Sequence, residues 1–255
     1  MLRELREKLK WLDPFTYVDL YVMPRVNPKE NEYLAWAVYI VFAFIFAYVF
    51  YTGLGLLMGT ASPMVIVVSA SMEPVLYRGD VVFLQGVSPE NLNAPEVELN
   101  EPTLNRRGLN EFARIAYLLR EDGALVAQQV EFLNGTPKVL PIEKTGDIVV
   151  YYSALRDEPV IHRIAAKLHA QDGYYLLTKG DNVLKNTTLD QDCGTVSDGV
   201  PQQSCITLYP LPVQNIDGRM LFKIPLIGCA KLWIFDNLGS LATTGKLPEN
   251  FSGFC

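Results

Sequence analysis

The sequence predicts a mainly β domain carried on one N-terminal transmembrane helix, with an α/β insertion inside the β domain. Two observations lead to this prediction. An uncharged apolar run extends from Leu34 to Met58, and the chain after it contains short β-branched and aromatic runs between Gly, Asp and Pro residues. Short strands separated by turn residues are typical of a β-rich fold. We therefore divide the chain into an arm (1–33), a membrane helix (34–58) and a β domain (59–255).

The apolar run is long enough to cross a bilayer. It has 25 residues without a charge, whereas a helix needs about 20 to cross the hydrocarbon core. A buried core helix of this length usually carries a polar stripe, and the apolar region of a cleaved signal peptide is shorter, at about 7–15 residues.

The flanking cations predict an orientation. Lys and Arg residues are frequent before the apolar run, and the first one after it is Arg78. Because such cations remain on the cytoplasmic side of a membrane, we expect the arm to be cytosolic and the β domain to be extracytoplasmic. The residues before the run that support this are Arg3, Arg6, Lys8, Lys10, Arg25 and Lys29.

The strands of the β domain are predicted from its apolar runs. The clearest are 64–68, 80–85, 146–152, 160–164 and 174–181. Residues 88–143 are richer in Asn, Glu and Pro, and we interpret them as the insertion. Within it, Glu111 to Leu119 has the spacing of a short amphipathic helix. In the tail after Gly218, charges interrupt the apolar residues, which favours an interfacial helix over a second membrane span.

Composition excludes some functions. The net charge is −6 and the pI is about 5.1, without a basic face, so nucleic acid is not an expected partner. Cys193 and Cys205 bracket a loop rich in Gly, Ser and Asp, which favours a disulfide over a zinc site, since no CxxC or His cluster accompanies them. No cofactor or metal is implied. Asn134, Asn186 and Asn250 lie in Asn-x-Ser/Thr triplets, which are possible glycan acceptors.

A serine after the membrane segment is the first candidate catalytic residue. Ser71 lies in Ser69-Ala70-Ser71-Met72-Glu73-Pro74. A serine hydroxyl is a weak nucleophile and needs a neighbouring base. The chain has two histidines, and His162, in an apolar strand beside Arg163, is a better candidate than His169. A base histidine also needs an acid to orient it, and three aspartates after Gly180 are candidates: Asp181, Asp190 and Asp192.

Four motifs together resemble a known family. They are Ser69-Ala70-Ser71-Met72-Glu73-Pro74, Gly146-Asp147-Ile148-Val149-Val150, Ile161-His162-Arg163-Ile164 and Thr178-Lys179-Gly180-Asp181-Asn182. The chain resembles the type I signal peptidases, and the archaeal and endoplasmic-reticulum branch more closely than the bacterial one. The bacterial branch has a lysine before the corresponding arginine, where this chain has His162. The Ile224-Pro225-x-x-Gly228 tail is also similar to the last motif of the family.

The resemblance implies a role for each site residue. Ser71 is the implied nucleophile and His162 the general base, while the Ser71 backbone N–H and the Ser69 hydroxyl form the oxyanion hole. The segment Val183 to Leu189 lengthens the usual spacing before the next aspartates. We favour Asp190 as the triad acid, supported through hydrogen bonding by Asp181, with Asp192 as the alternative.

The resemblance also implies an activity and partners. The expected protein is a membrane-anchored serine endopeptidase that removes signal peptides from preproteins after small residues at −1 and −3. It would lie in the cell membrane or the endoplasmic-reticulum membrane, near the secretion translocon. A non-catalytic, membrane-tethered domain that binds peptides is the alternative, as is a peptidase for a narrower set of surface precursors. The strand at 64–68 is the expected peptide-binding edge.

Overall fold

The computed structural model of the chain describes residues 10–194 and 205–245. The predicted site residues at 69–71, 162, 181, 190 and 192 all lie within these ranges, whereas Asn250 lies outside them. The chain forms two compact units, Met1–Leu57 and Met58–Cys255, and each is described by itself below.

The first unit contains the apolar helix. Two short α-helices, α1 (Pro14–Tyr17) and α2 (Met23–Val26), precede the long helix α3 (Glu32–Met58). Asn31 starts α3, because its side-chain oxygen accepts the Leu34 N–H at 3.2 Å. The prediction of an N-terminal apolar helix is confirmed, with its start two residues earlier than expected. Its length and composition suffice to cross a membrane.

The second unit is mainly β, as predicted. The strands of its larger sheet are β1 (Met64–Ile66), β2 (Val81–Gln85), β3 (Glu96–Leu99), β6 (Gly135–Thr136), β8 (Ile148–Ser153), β9 (Glu158–Ala170), β10 (Gly173–Lys179), β11 (Leu211–Pro212) and β12 (Ile216–Ile224). Their order is β1-β2-β12-β8-β9-β10-β11, and neighbours in this order pair antiparallel. Beside this path, β3 runs parallel to β9, and β6 pairs with β3.

The insertion builds a second sheet, in the order β4 (Ala113–Leu119), β5 (Leu125–Phe132) and β7 (Val139–Pro141). The predicted helix over Glu111–Leu119 is wrong, because only one turn, α4 (Leu109–Phe112), is helical. From Ala113 onward the backbone pairs with β5 along its whole length. The apolar residues at helical spacing are equally compatible with a strand, and pairing with β5 outweighs the local pattern.

The two sheets share one hydrophobic core. Buried side chains of the insertion, among them Phe112 and Phe132, pack in a cluster with Leu168 and Leu177 of the larger sheet. Complete burial of a side chain of this size contributes about 1.5–3 kcal/mol. The insertion is therefore packed as part of the domain, and β3 and β6 extend the larger sheet from within it.

The last element of the described residues is the helix α5 (Cys229–Thr244). The helical part of the tail prediction is therefore confirmed, while its interfacial location stays a prediction. Trp233, Ile234 and Phe235 of this helix are exposed.

Candidate active site

Ser71 lies on the loop that connects β1 to β2. The two ends of this loop are joined, because Val67 N–H donates to the Asp80 carbonyl at 2.9 Å and Gly79 N–H donates to the Val67 carbonyl at 2.8 Å. Met72 and Leu76 of the loop are completely buried, in a cluster with residues of β2 and β8. The serine therefore lies on a loop that is closed at its base and anchored in the core.

The Ser71 side chain contacts that of Ser69. Its Oγ lies 3.2 Å from Ser69 Oγ, and Ser71 is half-buried while Ser69 is exposed. Within residues 10–194 and 205–245, no acceptor bonds to the Ser71 backbone N–H. An unpaired N–H and a hydroxyl on the same loop are the donor types from which oxyanion holes are built.

The carbonyls around Ser71 are held by two asparagines. The Ser71 carbonyl accepts hydrogen bonds from the Asn182 backbone N–H at 2.9 Å and from Asn186 Nδ2 at 3.0 Å. The Asn182 side chain donates to the Ala70 carbonyl at 2.8 Å. The segment that follows β10 thereby fixes the orientation of two consecutive peptide planes at Ser71.

His162 lies in β9 and is paired with Asp190. Its Nδ1 is 2.7 Å from Asp190 Oδ2, and the two residues are only 1% and 3% exposed. An ionised carboxylate can only accept hydrogen bonds, so Nδ1 is the donor and Nε2 carries the free lone pair. This is the tautomer that a general base requires.

Asp190 is held by more than the histidine. Tyr151 OH of β8 donates to Asp190 Oδ2 at 2.8 Å. The Asp190 backbone N–H donates to the Thr178 carbonyl at 2.8 Å. The Asp190 carbonyl accepts from the backbone N–H groups of Ile206 and Thr207, at 2.7 and 3.0 Å. A disulfide between Cys193 and Cys205 closes the chain just beyond this site.

The surroundings keep the Asp190 carboxyl ionised. Burial by itself raises its pKa, but the electrostatic interaction and hydrogen bond with His162, together with hydrogen bonds from Thr178 and Tyr151, lower the pKa overall. Conversely, burial and the Asp190 charge raise the pKa of Tyr151 well above its usual value. Tyr151 therefore stays protonated and serves as a donor.

The other two candidate aspartates have different partners. Asp181 binds Arg163, with Asp181 Oδ1 2.9 Å from Nε and Oδ2 2.8 Å from Nη2. Asp192 accepts hydrogen bonds from Tyr117 and Thr188. The expected hydrogen bond from Asp181 to Asp190 does not occur among the described residues. His162 and Arg163 are successive residues of β9, and successive side chains of a strand face opposite sides. Asp181 therefore pairs with Arg163, whereas Asp190 pairs with His162.

The two histidines are far apart. His169 is seven residues further along β9, roughly 20 Å away at the rise of a strand, and its ring stacks on Tyr174 with centroids 4.3 Å apart. Ser71 and His162 belong to the same region, because Met72 and Ile161, their chain neighbours, pack in one cluster. Within the described residues, no hydrogen bond joins the Ser71 hydroxyl to His162. Catalytic hydrogen bonds are often long before substrate binds.

Comparison with known proteins identifies relatives of the chain. No family model matches it. The signal peptidase complex catalytic subunit SEC11 of Lachancea thermotolerans is 26% identical over 199 residues, which are 77% of this chain and 80% of that protein. SEC11 of Saccharomyces cerevisiae strain YJM789 is 26% identical over 200 residues, 78% of this chain and 81% of that protein. SEC11 of Scheffersomyces stipitis is 28% identical over 143 residues, 56% and 55% of the two chains.

The chain is a relative of the endoplasmic-reticulum type I signal peptidases. The four motifs of this chain lie on separate elements, namely the β1–β2 loop, the start of β8, β9, and the end of β10 with the residues that follow it. Motif matching did not find Tyr151 or Asn186, which hold Asp190 and Ser71. Tyr151 follows the motif in β8 as an ordinary strand residue, and the Asn186 triplet suggested only a glycan site.

Proposed function

We propose that the chain is a membrane-anchored serine endopeptidase that removes N-terminal signal peptides from exported preproteins, after small residues at −1 and −3. The similarity to SEC11 catalytic subunits supports serine endopeptidase activity and signal-peptide cleavage. The buried His162–Asp190 pair, at 2.7 Å, is the observation that carries the assignment of the catalytic groups. A domain that only binds peptides has no need of a histidine held in the tautomer of a base.

The proposed mechanism follows the order of the contacts. Ser71 Oγ attacks the scissile carbonyl while His162 Nε2 takes its proton, and Asp190 stabilises the resulting imidazolium. The Ser71 N–H and the Ser69 hydroxyl stabilise the oxyanion. His162 then gives the proton to the leaving amine, and a water molecule hydrolyses the acyl-enzyme by the same route. Asp181 acts indirectly, by holding Arg163 beside the histidine.

The strand order supports the proposed mode of peptide binding. β1 is the edge strand at one end of the larger sheet, and it leads into the loop that carries Ser71. An extended peptide can add to such an edge through main-chain hydrogen bonds. Its alternate side chains then point to one face, as recognition of the −1 and −3 residues requires.

We also propose a location and partners. The apolar helix α3 supports anchoring in the lipid bilayer, and the cations before it favour a cytosolic N-terminus. The relatives are named as subunits of a signal peptidase complex, so we expect the chain to work with other membrane subunits in the endoplasmic-reticulum or cell membrane. Signal peptides emerge at the secretion translocon, which is therefore an expected neighbour.

A cleavage assay tests the proposal. The full chain in detergent is incubated with a preprotein, beside Ser71→Ala, His162→Ala and His169→Ala variants. We expect the first two to lose cleavage and the third, which replaces the histidine stacked on Tyr174, to keep it. Cleavage that survives Ser71→Ala or His162→Ala contradicts the mechanism. Peptide binding by the parent chain without cleavage favours the binding domain instead.

A further inference from the structure

The seven residues from Val183 to Leu189 are the part of the site that the family motifs do not account for. This segment turns back onto the nucleophile loop. Asn182 O accepts from Lys185 N–H at 3.0 Å and from Asn186 N–H at 2.7 Å, and this turn brings the Asn186 side chain to the Ser71 carbonyl at 3.0 Å.

The Asn186 side chain packs so closely against position 180 that only glycine fits there. A Cβ atom at Gly180 would lie 2.4 Å from Asn186 Nδ2 and 2.8 Å from the Ser71 carbonyl oxygen. Any other residue at position 180 would therefore displace either Asn186 or Ser71.

A buried lysine holds the backbone of Asn186. Lys179 Nζ donates to the Asn186 carbonyl at 2.6 Å and to the Gly180 carbonyl at 3.2 Å, and the residue is 8% exposed. Burial lowers the pKa of this ammonium group, against the opposing charges of Asp190 and Asp181. Its hydrogen bonds to carbonyls account for its place in the core and tie Asn186 to β10.

The second sheet holds the same segment from the other side. Ala127 N–H of β5 donates to the Thr187 carbonyl at 2.8 Å, and Arg120 Nη1 donates to the Val183 carbonyl at 2.9 Å. Asn186 lies between these two attachments in the chain, so it is restrained before and after its own contact with Ser71.

We propose that Asn186 is a positioning residue for Ser71, and that the added segment exists in this chain to deliver it. This inference rests on the proposed peptidase function. Peptide groups are planar, so the Ala70 carbonyl, held by Asn182, fixes the direction of the Ser71 N–H. The Ser71 carbonyl, held by Asn186, fixes the next plane. Together the two bonds restrict the backbone dihedral angles of Ser71, and hence the directions of its N–H and of the Cα–Cβ bond that carries Oγ.

The test replaces the amide by an apolar group of the same branching, in Asn186→Leu. The matched control is Leu184→Ala, since Leu184 is on the same segment and 73% exposed. We expect kcat for preprotein cleavage to fall by roughly 10²-fold, the scale expected for a misplacement of about 1 Å, with KM changed less than threefold. The pH profile should keep its shape, because the His162–Asp190 pair is not touched. An unchanged kcat, or a loss expressed mainly in KM, overturns the proposal.

A second measurement does not depend on cleavage. Amide hydrogen exchange over residues 71–76 should be faster in Asn186→Leu than in the parent chain and in Leu184→Ala. Equal exchange overturns the proposal whatever the activity. If exchange is faster in Asn186→Leu but the parent chain cleaves no preprotein, the proposed function is contradicted and the positioning role stands. If the leucine variant does not fold, Asn186→Asp, which keeps the shape but loses the donor, is measured in the same two ways.

Discussion

The two halves of the candidate site are held in different ways. His162 and Asp190 are buried between strands and joined by side-chain bonds that include Tyr151. Ser69 and Ser71 lie on an accessible part of their loop, and the bonds from the two asparagines end on the main-chain carbonyls of Ala70 and Ser71. The base half is thus controlled by charge and burial, and the nucleophile half by backbone geometry. Changes to the first should alter the pH dependence of the rate, and changes to the second should lower the rate at every pH.

The largest effect is expected in the base half. Asp190→Asn removes the acceptor that sets the tautomer of His162, so kcat should fall about 10³–10⁴-fold, with a changed pH profile. The measurement is the rate of preprotein cleavage at saturating substrate from pH 5 to 9. Asp181→Asn and Asp192→Asn are the matched controls, because their carboxylates bind Arg163 and Tyr117 instead. A near-parental rate for Asp190→Asn, or a larger loss in either control, would mean that another residue serves as the acid of the triad.

The next effect lies in the nucleophile half. Ser69→Ala removes the proposed oxyanion donor and should lower kcat about 10²–10³-fold. Because Ser69 is exposed, the free energy of unfolding should change by less than about 0.5 kcal/mol. Ser69→Thr keeps the hydroxyl and should recover most of the rate. A pH profile that changes shape in Ser69→Ala would break the distinction between the two halves.

A stability measurement tests the anchor of the nucleophile loop. Asp80 binds Lys223 at 2.7 Å and accepts the Tyr77 N–H at 3.0 Å. Burial raises its pKa, but the bonds from Lys223, Tyr77 and Leu226 lower it overall. A lowered pKa stabilises the fold above the unfolded value of about 3.9, and this stabilisation is lost as the pH falls through the folded value.

Asp80→Asn should therefore cost about 2 kcal/mol at pH 7, measured by denaturant unfolding. The difference from the parent chain should shrink as the pH falls below about 4. Glu121→Gln serves as the control, because its carboxylate makes no hydrogen bond or ion pair within the described residues. A difference that stays constant from pH 7 to pH 3 would show that the charge of Asp80 is not what anchors the loop.

The smallest effect is expected at Tyr151. Tyr151→Phe removes one hydrogen bond to Asp190 and leaves the His162 contact intact. The loss should be about 1 kcal/mol, which corresponds to roughly fivefold in kcat if it acts entirely on the transition state. Tyr152→Phe is the neighbouring control, since Tyr152 is half exposed and bonds to Asp157 instead. An equal effect in both variants would mean that Tyr151 contributes only to packing.

Local patterns were sufficient for some elements and insufficient for others. The apolar helix and the strands near Val81, Ile148 and Ile161 follow from runs of apolar residues. At Glu111–Leu119 the same kind of pattern predicted a helix, because the spacing of its apolar residues does not reveal the partner strand β5. A strand that gains its hydrogen bonds from a neighbouring strand leaves little trace of that pairing in its own sequence.

The same limit applies to the site. Ser71, His162 and Asp190 came from motifs, and their roles stay predictions. Tyr151 is 39 residues from Asp190 and Asn186 is 115 from Ser71, so only the folded chain brings these pairs together. Asp181 was expected to support Asp190, but it pairs with Arg163 instead. Side chains alternate between the two faces of β9, so Arg163 and His162 meet different aspartates, and this depends on the face that each side chain occupies.

The common core of the two sheets restricts how this protein can be reduced in size. Leu189, the residue before Asp190, is buried in the cluster that contains Phe112 and Phe132 of the insertion. Trimming the insertion would uncover Leu189 and release the Thr187 carbonyl from β5. A minimal peptidase designed from this chain therefore has to retain the second sheet, or supply a new apolar surface that covers Leu189.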